Sequence, residues 1–360
     1  MLLDPNPKTR REDFYNREKE LEELINSLRR MEKLIVILGI RRIGKSSLLN
    51  VALSELDIPN IKLDIREIYF TKGSISKFHL YEALSEEINK LRRFKGLLRI
   101  LSKVRGVTLA GLEVKLDWRE RETSISSLLK AMDKWCERAN TNLVIALDEA
   151  QYLRFSGRVR YDGIIAWALD NLNRISFVLT GSEVGMLRDF LRLEQSDSPL
   201  YGRFVKTLKL ERLERERAKD FLLKGLEQFK VSPPNELEQV IDELDGLIGW
   251  LSHYGYTFAT EGKADLMYFL NRASALVEEE MRKVLKGSER YLPVLKAVAL
   301  GASTWSEVYN AISSKLGPIP KSEISTLLSN LVGYGFLEKR NDSYFIPDSV
   351  VKYTASRIKA

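Results

Sequence analysis

Three stretches of the chain are almost entirely apolar for five or six residues, and each ends at small or polar residues. An apolar run of this length is typical of a strand that is buried on both faces of a parallel sheet. These patterns predict an α/β fold in which helices sandwich a parallel sheet. The predicted strands are Leu34–Leu38, Leu143–Leu147 and Ile175–Thr180.

Beyond about residue 210 the apolar positions recur with helical spacing. Pro233 and Pro234 interrupt this pattern, and Glu236–Leu244 resumes it. We therefore predict a mostly helical region from Glu211 to about Leu285. Its first helix, Glu214–Phe229, places on one face Ala218, Phe221, Leu222, Gly225 and Leu226.

The C-terminal segment combines three helical patterns with two short alternating runs. Tyr291–Leu300 is an apolar-rich helix, Thr304–Glu307 is a capping box that opens a second helix, and Pro320 precedes a third. Phe336–Lys339 and Tyr344–Ile346 alternate as two short strands do. Three helices and a hairpin predict a winged helix-turn-helix.

Length and composition bound the organisation. A chain of 360 residues exceeds the roughly 250–300 residues of one core, and we predict domains at 1–210, 211–285 and 286–360. No apolar run approaches the roughly 20 residues of a membrane helix, and the N-terminus lacks a signal-peptide pattern. We expect a cytoplasmic protein with no membrane insertion. The lone Cys136 and the two histidines exclude cysteine-built and histidine-rich metal sites.

The segment Gly39–Ser46 matches the phosphate-loop pattern G-x-x-x-x-G-K-[ST] at every fixed position. Its glycines let backbone N–H groups approach a polyphosphate, and the following helix adds its positive N-terminal end. Lys45 would neutralise the outer phosphates, and the Ser46 hydroxyl would ligate Mg²⁺. Arg41 and Arg42 either contact phosphates or project into solvent. The predicted phosphate-binding residues are Gly39, Ile40, Arg41, Arg42, Ile43, Gly44, Lys45, Ser46 and Ser47.

Two acids follow the second predicted strand. Asp148 would stand at the carboxyl end of that strand, where open α/β sheets bind ligands, and would ligate Mg²⁺. The adjacent Glu149 is the candidate general base for an attacking water. After the third strand, Thr180 or Ser182 places a hydroxyl near the γ-phosphate or the water, unless the pair is an ordinary turn.

With these motifs the sequence resembles the archaeal ATPase family, a branch of the P-loop ATPases related to AAA+ and STAND proteins. The resemblance covers nearly the whole chain, and four segments carry it: Phe14–Leu21, Asp148–Gln151, Thr180–Ser182 and Pro199–Arg203. The resemblance implies ATP and ADP as ligands and a helical lid after residue 210. Asp245–Leu251 departs from the family because it lacks the proline of a Gly-x-Pro segment.

The resemblance also assigns roles outside the phosphate loop. It places Tyr15 and Arg17 near the adenine, and it makes Arg203 a candidate for stabilising the γ-phosphate, in cis or in trans. From the residues alone, an Arg after a turn is equally a solvated surface group.

The charge of +7 is concentrated in two regions. Residues 90–105 hold seven basic and no acidic residues with apolar residues between them, and residues 286–360 are also basic. A basic amphipathic helix meets nucleic acid, a membrane surface or an acidic partner, or is simply solvated. The winged helix suggests DNA through its third helix, or a protein partner.

These observations favour an Mg²⁺-dependent ATP-binding protein and ATPase whose nucleotide state controls the winged helix. The alternative is a nucleotide-gated switch that binds DNA or a protein with little turnover. A small-molecule kinase is less favoured, because the adjacent Asp148 and Glu149 suit the activation of water.

Overall fold

A computed structural model describes the chain over residues 1–91, 96–104, 107–110, 113–116, 124–157, 159–182, 187, 190–262, 265–285 and 288–358. Its strands are β1 (Leu34–Leu38), β2 (Asn60–Asp64), β3 (Val107–Ala110), β4 (Glu113–Leu116), β5 (Leu143–Asp148), β6 (Ile175–Gly181), β7 (Lys206–Lys209), β8 (Glu338–Arg340) and β9 (Ser343–Phe345). Its α-helices are Glu18–Arg29, Lys45–Glu55, Ile65–Lys72, Lys77–Lys90, Leu97–Leu101, Ile125–Ala139, Tyr161–Asn171, Arg215–Phe229, Leu237–Leu244, Ile248–Glu261, Leu266–Val284, Tyr291–Ala299, Trp305–Leu316, Lys321–Gly333 and Ser349–Arg357; 3-10 helices cover Arg11–Asp13 and Ala150–Phe155.

The central sheet has five strands in the order β2-β5-β6-β1-β7, and every neighbouring pair is parallel. The carboxyl ends of all five strands therefore lie at the same end of the sheet. The phosphate loop and the acids at the end of β5 lie close together there. The predicted α/β fold class is confirmed. β2 and β7 are the edge strands, and β2 alternates between buried and half-buried residues.

Helices cover both faces of this sheet. Ile35 and Ile37 of β1 pack into one core with the Glu18–Arg29 and Lys45–Glu55 helices. Leu34, Val36 and Leu38 of the same strand pack into a second core, which includes residues of the helices Lys77–Lys90, Ile125–Ala139 and Tyr161–Asn171. Side chains of successive strand residues point to opposite faces, so a strand buried on both faces is apolar at every position.

The helices from Arg215 to Val284 form a lid beside the phosphate loop. The N-terminus of the chain lies against this lid, and the Leu2 backbone N–H donates to the Gln228 side-chain oxygen at 2.9 Å. The buried Leu3 lies between Gly225 and Gly255, where an added Cβ would approach its side chain to 2.4 Å and 2.7 Å. A side chain at either glycine would therefore displace the N-terminal segment.

The C-terminal segment folds as the predicted winged helix. Its three helices are followed by the antiparallel hairpin of β8 and β9. Thr304 and Glu307 form the capping box of the second helix. A further helix, Ser349–Arg357, which the apolar pattern does not predict, packs back on the lid helix Leu266–Val284.

The basic segment 90–105 falls partly outside the described residues. In the described part, Lys90 pairs with Glu87, and Leu97 and Leu101 are buried in the core. Leu97–Leu101 therefore packs inward through these two residues. Strands β3 and β4 form the small hairpin that follows. None of the described helices has the length and apolar character needed to cross a bilayer.

Candidate nucleotide site

The phosphate loop turns sharply between β1 and the Lys45–Glu55 helix. Gly44 has φ +100°, a conformation that L side chains rarely adopt. A Cβ on Gly39 would lie 2.9 Å from the Ile43 side chain and 3.0 Å from the Leu210 carbonyl oxygen. The motif glycines therefore meet two separate requirements, a left-handed turn and a close approach between backbone segments.

A cavity of about 350 Å³ lies between this loop, the N-terminal segment and the lid. The lid side contributes Ile248, Gly249, His253 and Glu280 among others. The predicted binding residues on its wall are Tyr15, Arg17, Arg41, Arg42, Ile43, Gly44, Lys45, Ser46, Ser47 and Glu149. Gly39 and Ile40 instead line a second cavity, between the sheet edge and β8, together with Ser182.

Lys45 is almost completely buried in the loop. Its ammonium donates to the carbonyl oxygens of Gly39 and Ile40, at 2.8 Å each. Burial lowers the pKa of Lys45 to about 8, although the nearby Glu149 and Asp148 oppose the shift. A bound phosphate would raise this pKa again, so nucleotide binding and protonation of Lys45 are linked.

Asp148 is held at the end of β5 by two neighbouring strands. The Thr180 hydroxyl of β6 donates to its Oδ1, and the Lys62 ammonium of β2 lies 3.3 Å from its Oδ2. Thr180 also accepts from the Glu149 backbone N–H at 3.0 Å. These two hydrogen bonds let Thr180 orient both acids. Thr180 itself is buried and does not line the cavity.

Glu149 adopts a left-handed backbone conformation, with φ 54° and ψ 47°, at the start of the 3-10 helix Ala150–Phe155. Its Oε2 accepts from the Ser182 hydroxyl at 2.6 Å, the Ser182 N–H at 3.1 Å and the Gln151 amide at 2.6 Å. Burial alone would raise its pKa, but Lys45, Arg66 and these donors lower the pKa to about 2. Ser182 therefore holds the candidate base, and its placement near a γ-phosphate or the attacking water stays a prediction.

Arg41 and Arg42 do not project into solvent. Arg41 is buried, forms an ion pair with Glu280 of the lid and lies over the Phe336 ring of the winged helix, 5.1 Å from its centroid. Arg42 stacks on Trp250 of the lid at 4.0 Å and lies 3.4 Å from the Glu280 carboxylate. The solvent alternative is wrong, because both guanidinium groups contact the lid and that of Arg41 also contacts the winged helix.

The lid segment without proline also reaches the phosphate loop. The Gly249 backbone N–H donates to the Arg42 carbonyl oxygen at 2.9 Å, and a Cβ on Gly249 would lie 2.7 Å from the Arg42 Cβ. The glycine therefore permits this contact between lid and loop.

Tyr15 and Arg17 form one wall of the cavity. The Tyr15 hydroxyl donates to the Asp220 carboxylate, and its ring packs on Phe221 with centroids 5.4 Å apart. Burial and Asp220 raise the pKa of Tyr15 to about 12. Arg17 pairs with Glu20 at 3.0 Å. This apolar and aromatic surface suits a planar base, and the adenine assignment stays a prediction.

Arg203 lies far from this cavity. It precedes β7, whose first residue Lys206 aligns with Ile35 near the amino end of β1, whereas the phosphate loop follows the carboxyl end. Four strand residues separate the two edges by about 13 Å. Its guanidinium donates to Asp170 and to the Pro199 carbonyl oxygen. Arg203 therefore does not line the cavity, and its role at a γ-phosphate, in cis or in trans, stays a prediction.

Several residues that line the cavity or contact its acids carry no motif or apolar pattern that predicts a role in the site. Lys62 and Arg66 belong to β2 and the helix after it, and the edge strand β2 has no continuous apolar run. Glu280 lies on the lid helix Leu266–Val284, and its distance along the chain hides its pairing with Arg41. Gln151 was part of a motif without an assigned role.

The oxygen donors at this site suit Mg²⁺. Ser46 lies on the cavity wall, and Asp148 ends β5 beside Glu149. Within the described ranges, no group of three or more His, Cys, Asp or Glu side chains forms a metal site. An ion here would therefore take its other ligands from phosphates and water, as Mg²⁺ commonly does.

The phosphate loop, the acids at the end of β5 and the winged helix define a P-loop protein with a helical region between its sheet domain and its winged helix. Residues 14–253 match the model of an ATPase domain predominantly from Archaea, and the chain belongs to that family. Residues 285–347 match the model of the winged helix-turn-helix domain at the C-terminus of MCM proteins. The predicted family is confirmed.

Known proteins extend this comparison over the whole chain. A Walker-type ATPase of Pyrococcus abyssi is 33% identical, with 99% of both chains covered and a TM-score of 0.85. The ORC2 protein of Aeropyrum pernix, solved with ADPNP and ADP, shares the fold at 17% identity over 98% of this chain and 97% of its own, with a TM-score of 0.59. An uncharacterised protein of Methanocaldococcus jannaschii is 23% identical over 94% of this chain and 67% of its own.

Proposed function

We propose that this protein binds Mg-ATP between the phosphate loop and the lid and hydrolyses it. One observation carries the proposal: a single cavity brings together Lys45, Ser46 and Glu149, with Asp148 beside them. Lys45 and the loop amides hold the phosphates, while Ser46 and Asp148 would hold Mg²⁺, which supplies charge stabilisation on the phosphates. Glu149 orients the attacking water.

Phosphate release from ATP with and without Mg²⁺ tests this proposal. We expect turnover that depends on Mg²⁺ and is lost in Lys45→Ala, because the loop amides alone leave the phosphate charge uncompensated. Lys72→Ala is a matched control, since Lys72 pairs with Glu82 on the surface at 3.1 Å. Wild-type protein that neither binds nor hydrolyses ATP would contradict the assignment, as would unchanged binding in Lys45→Ala.

We also propose that nucleotide state controls the winged helix. Arg41 contacts Phe336 directly, and Arg42 reaches Asp348 through Trp250, whose indole N–H donates to Asp348 at 2.9 Å. A phosphate drawn into the loop competes with Glu280 for the charge of both arginines. Loop and winged helix therefore share side chains that a nucleotide would move.

Hydrogen exchange of the Tyr291–Ala299 and Ser349–Arg357 helices measures this control. We expect ADP and a non-hydrolysable ATP analogue to give different exchange rates in these helices, and the difference to disappear in Arg41→Ala/Arg42→Ala. Identical exchange in both nucleotide states would leave the winged helix uncoupled and contradict the proposal.

DNA is the second candidate ligand, and the surface of the winged helix favours it. The Lys321–Gly333 helix exposes small polar residues and Lys321, and Arg340 of the wing has a side chain 74% exposed. Such a surface suits backbone phosphates and base edges. Fluorescence anisotropy with duplex DNA at two salt concentrations should show salt-dependent binding that weakens in Arg340→Ala. Absence of DNA binding would favour a protein partner.

A further inference from the structure

Arg66 lies at the same edge of the sheet as the candidate catalytic acids. β2 pairs with β5 so that Asp64 aligns with Asp148. The Ile65–Lys72 helix begins directly after β2, because the Asp64 side chain accepts from the Glu67 N–H at 2.9 Å and caps it. Arg66 is therefore placed beside Glu149 by the strand register and by the capped helix start.

The Arg66 side chain is half-buried and lines the cavity with Lys45, Glu149 and Glu280. In the part of the chain that the structure describes, its guanidinium forms no hydrogen bond and no ion pair within 4.0 Å. The other arginines on the cavity wall differ. Arg17 pairs with Glu20, and Arg41 and Arg42 pair with Glu280.

The strand order shows which part of a nucleotide Arg66 would meet. The phosphate loop follows β1, and β6 and β5 separate β1 from β2. Neighbouring strands lie about 4.8 Å apart, so the three steps from β1 to β2 place the carboxyl end of β2 about 14 Å from the phosphate loop. Lys45 and Glu149 line the same cavity, so a polyphosphate anchored at Lys45 would extend its last phosphate toward Glu149, the candidate base for attack on that phosphate. Arg66 approaches from beyond Glu149, so it faces that last phosphate and not the inner ones.

We propose that Arg66 binds the terminal phosphate of a nucleoside triphosphate and makes the site distinguish triphosphate from diphosphate. A guanidinium suits this role because its planar donors pair with two oxygens of one phosphate. Arg66 thus provides within one chain a contact of the kind that the family resemblance implies for Arg203. The proposal rests on nucleotide binding at this cavity.

Titration calorimetry with ADP and with the β,γ-imido analogue of ATP tests Arg66 directly. We expect Arg66→Ala to weaken binding of the analogue at least about tenfold, the loss typical of a charged hydrogen bond, and to change ADP affinity by less than about twofold. Arg66→Lys should recover only part of the loss, because an ammonium does not form the bidentate pair. Lys72→Ala removes a cation from the same helix outside the cavity and should change neither affinity.

Equal losses for ADP and the analogue, or no loss for either, would overturn the role of Arg66. Circular dichroism and thermal unfolding establish that each variant is folded. Failure of the underlying assignment gives a different result, since wild-type protein would then bind neither nucleotide. A ratio of analogue affinity to ADP affinity that is as large in Arg66→Ala as in the wild type would also overturn the proposal.

Discussion

The two sides of the nucleotide cavity are held by different parts of the chain. The carboxylate wall, Asp148 and Glu149, is fixed by Thr180, Ser182 and Lys62, all within the sheet or directly after it. The arginine wall, Arg41 and Arg42, is held by the lid and the winged helix. Because these partners all belong to the sheet or follow it directly, the geometry of the two acids does not depend on the lid or the winged helix. The arginines depend on those regions, so the same cavity combines a rigid chemical side with a side suited to communication.

Changing the candidate base should give the largest effect. Glu149→Gln keeps the shape of the side chain but removes the charge that orients water, so we expect hydrolysis to fall by about 100-fold or more. Nucleotide affinity should change little, because Lys45 and the loop amides remain. Single-turnover phosphate release together with binding measurements checks both expectations.

Gln151 provides the matched control for this change. Its side-chain amide donates to the Glu149 carboxylate at 2.6 Å, so Gln151→Ala removes an orienting donor and leaves the base in place. It should slow hydrolysis far less than Glu149→Gln. Equal rates for wild type and Glu149→Gln would show that the carboxylate wall does not carry the chemistry.

Removing the ion pairs of the arginine wall should lower the free energy of unfolding and also weaken the coupling between nucleotide and winged helix. Burial opposes the ionisation of Glu280, but Arg41 and Arg42 outweigh burial and hold its pKa below the usual value. Glu280→Gln removes these ion pairs, so we expect the free energy of unfolding to fall by about 1–3 kcal/mol in urea titrations.

Glu278 on the same helix provides the matched control. It pairs with Arg282 on the surface at 2.6 Å, and Glu278→Gln should change the free energy of unfolding by less than about 0.5 kcal/mol. Indistinguishable results for the two variants would mean that the ion pairs of the arginine wall contribute no more than a surface pair does.

The pKa of Lys45 predicts how nucleotide binding depends on pH. With this pKa at about 8, Lys45 loses its proton above pH 8, and phosphate binding must restore it. Affinity should therefore fall as the pH rises from about 7 to about 9.5, by up to about tenfold per pH unit. Calorimetry in two buffers of different ionisation enthalpy should detect proton uptake above this pKa. Affinity independent of pH over this range would contradict the linkage.

The sequence predicts the carboxylate wall far better than the arginine wall. The loop, Asp148 and Glu149 follow continuous apolar strands, so local pattern and motif place them at one edge. The partners of Arg41 and Arg42 come from the lid and the C-terminal region, and their pairing depends on tertiary packing that no local pattern encodes. The position of Arg66 could not be predicted for a related reason. The strand before it, β2, is a half-exposed edge strand with an alternating pattern and not a continuous apolar run.

The missed Ser349–Arg357 helix shows where a local signal did exist. Asp348 accepts from the Val350 and Val351 N–H groups at 2.9 Å and 3.1 Å, as an N-cap does. An Asp shortly before two β-branched residues predicts a helix only weakly, because valine has a low helix propensity. Packing against the lid helix supplies the remaining stability.

The smallest expected effect concerns Asp348, which accepts a hydrogen bond from Trp250, the residue on which Arg42 of the arginine wall stacks. Burial raises the pKa of this carboxyl, although Arg42 and its hydrogen-bond donors oppose the shift. A carboxyl with a raised folded-state pKa binds protons more tightly in the folded protein. Its contribution to stability is therefore complete at acidic pH and is lost as the pH rises through that pKa. Asn is an equally good N-cap, so Asp348→Asn should change the free energy of unfolding by no more than about 1 kcal/mol.

The pH dependence separates this electrostatic effect from a change in packing. In urea unfolding at about pH 4, 5.5 and 7, Asp348→Asn should gain stability relative to wild type as the pH rises, because the amide never ionises. Asp342→Asn, at a fully exposed position in the turn after β8, should show no comparable trend. A difference between Asp348→Asn and wild type that stays constant with pH would mean that the Asp348 carboxyl stays ionised in the folded protein. Trp250 would then lie between two charged groups, the Arg42 guanidinium and an Asp348 carboxylate that keeps its charge over this pH range.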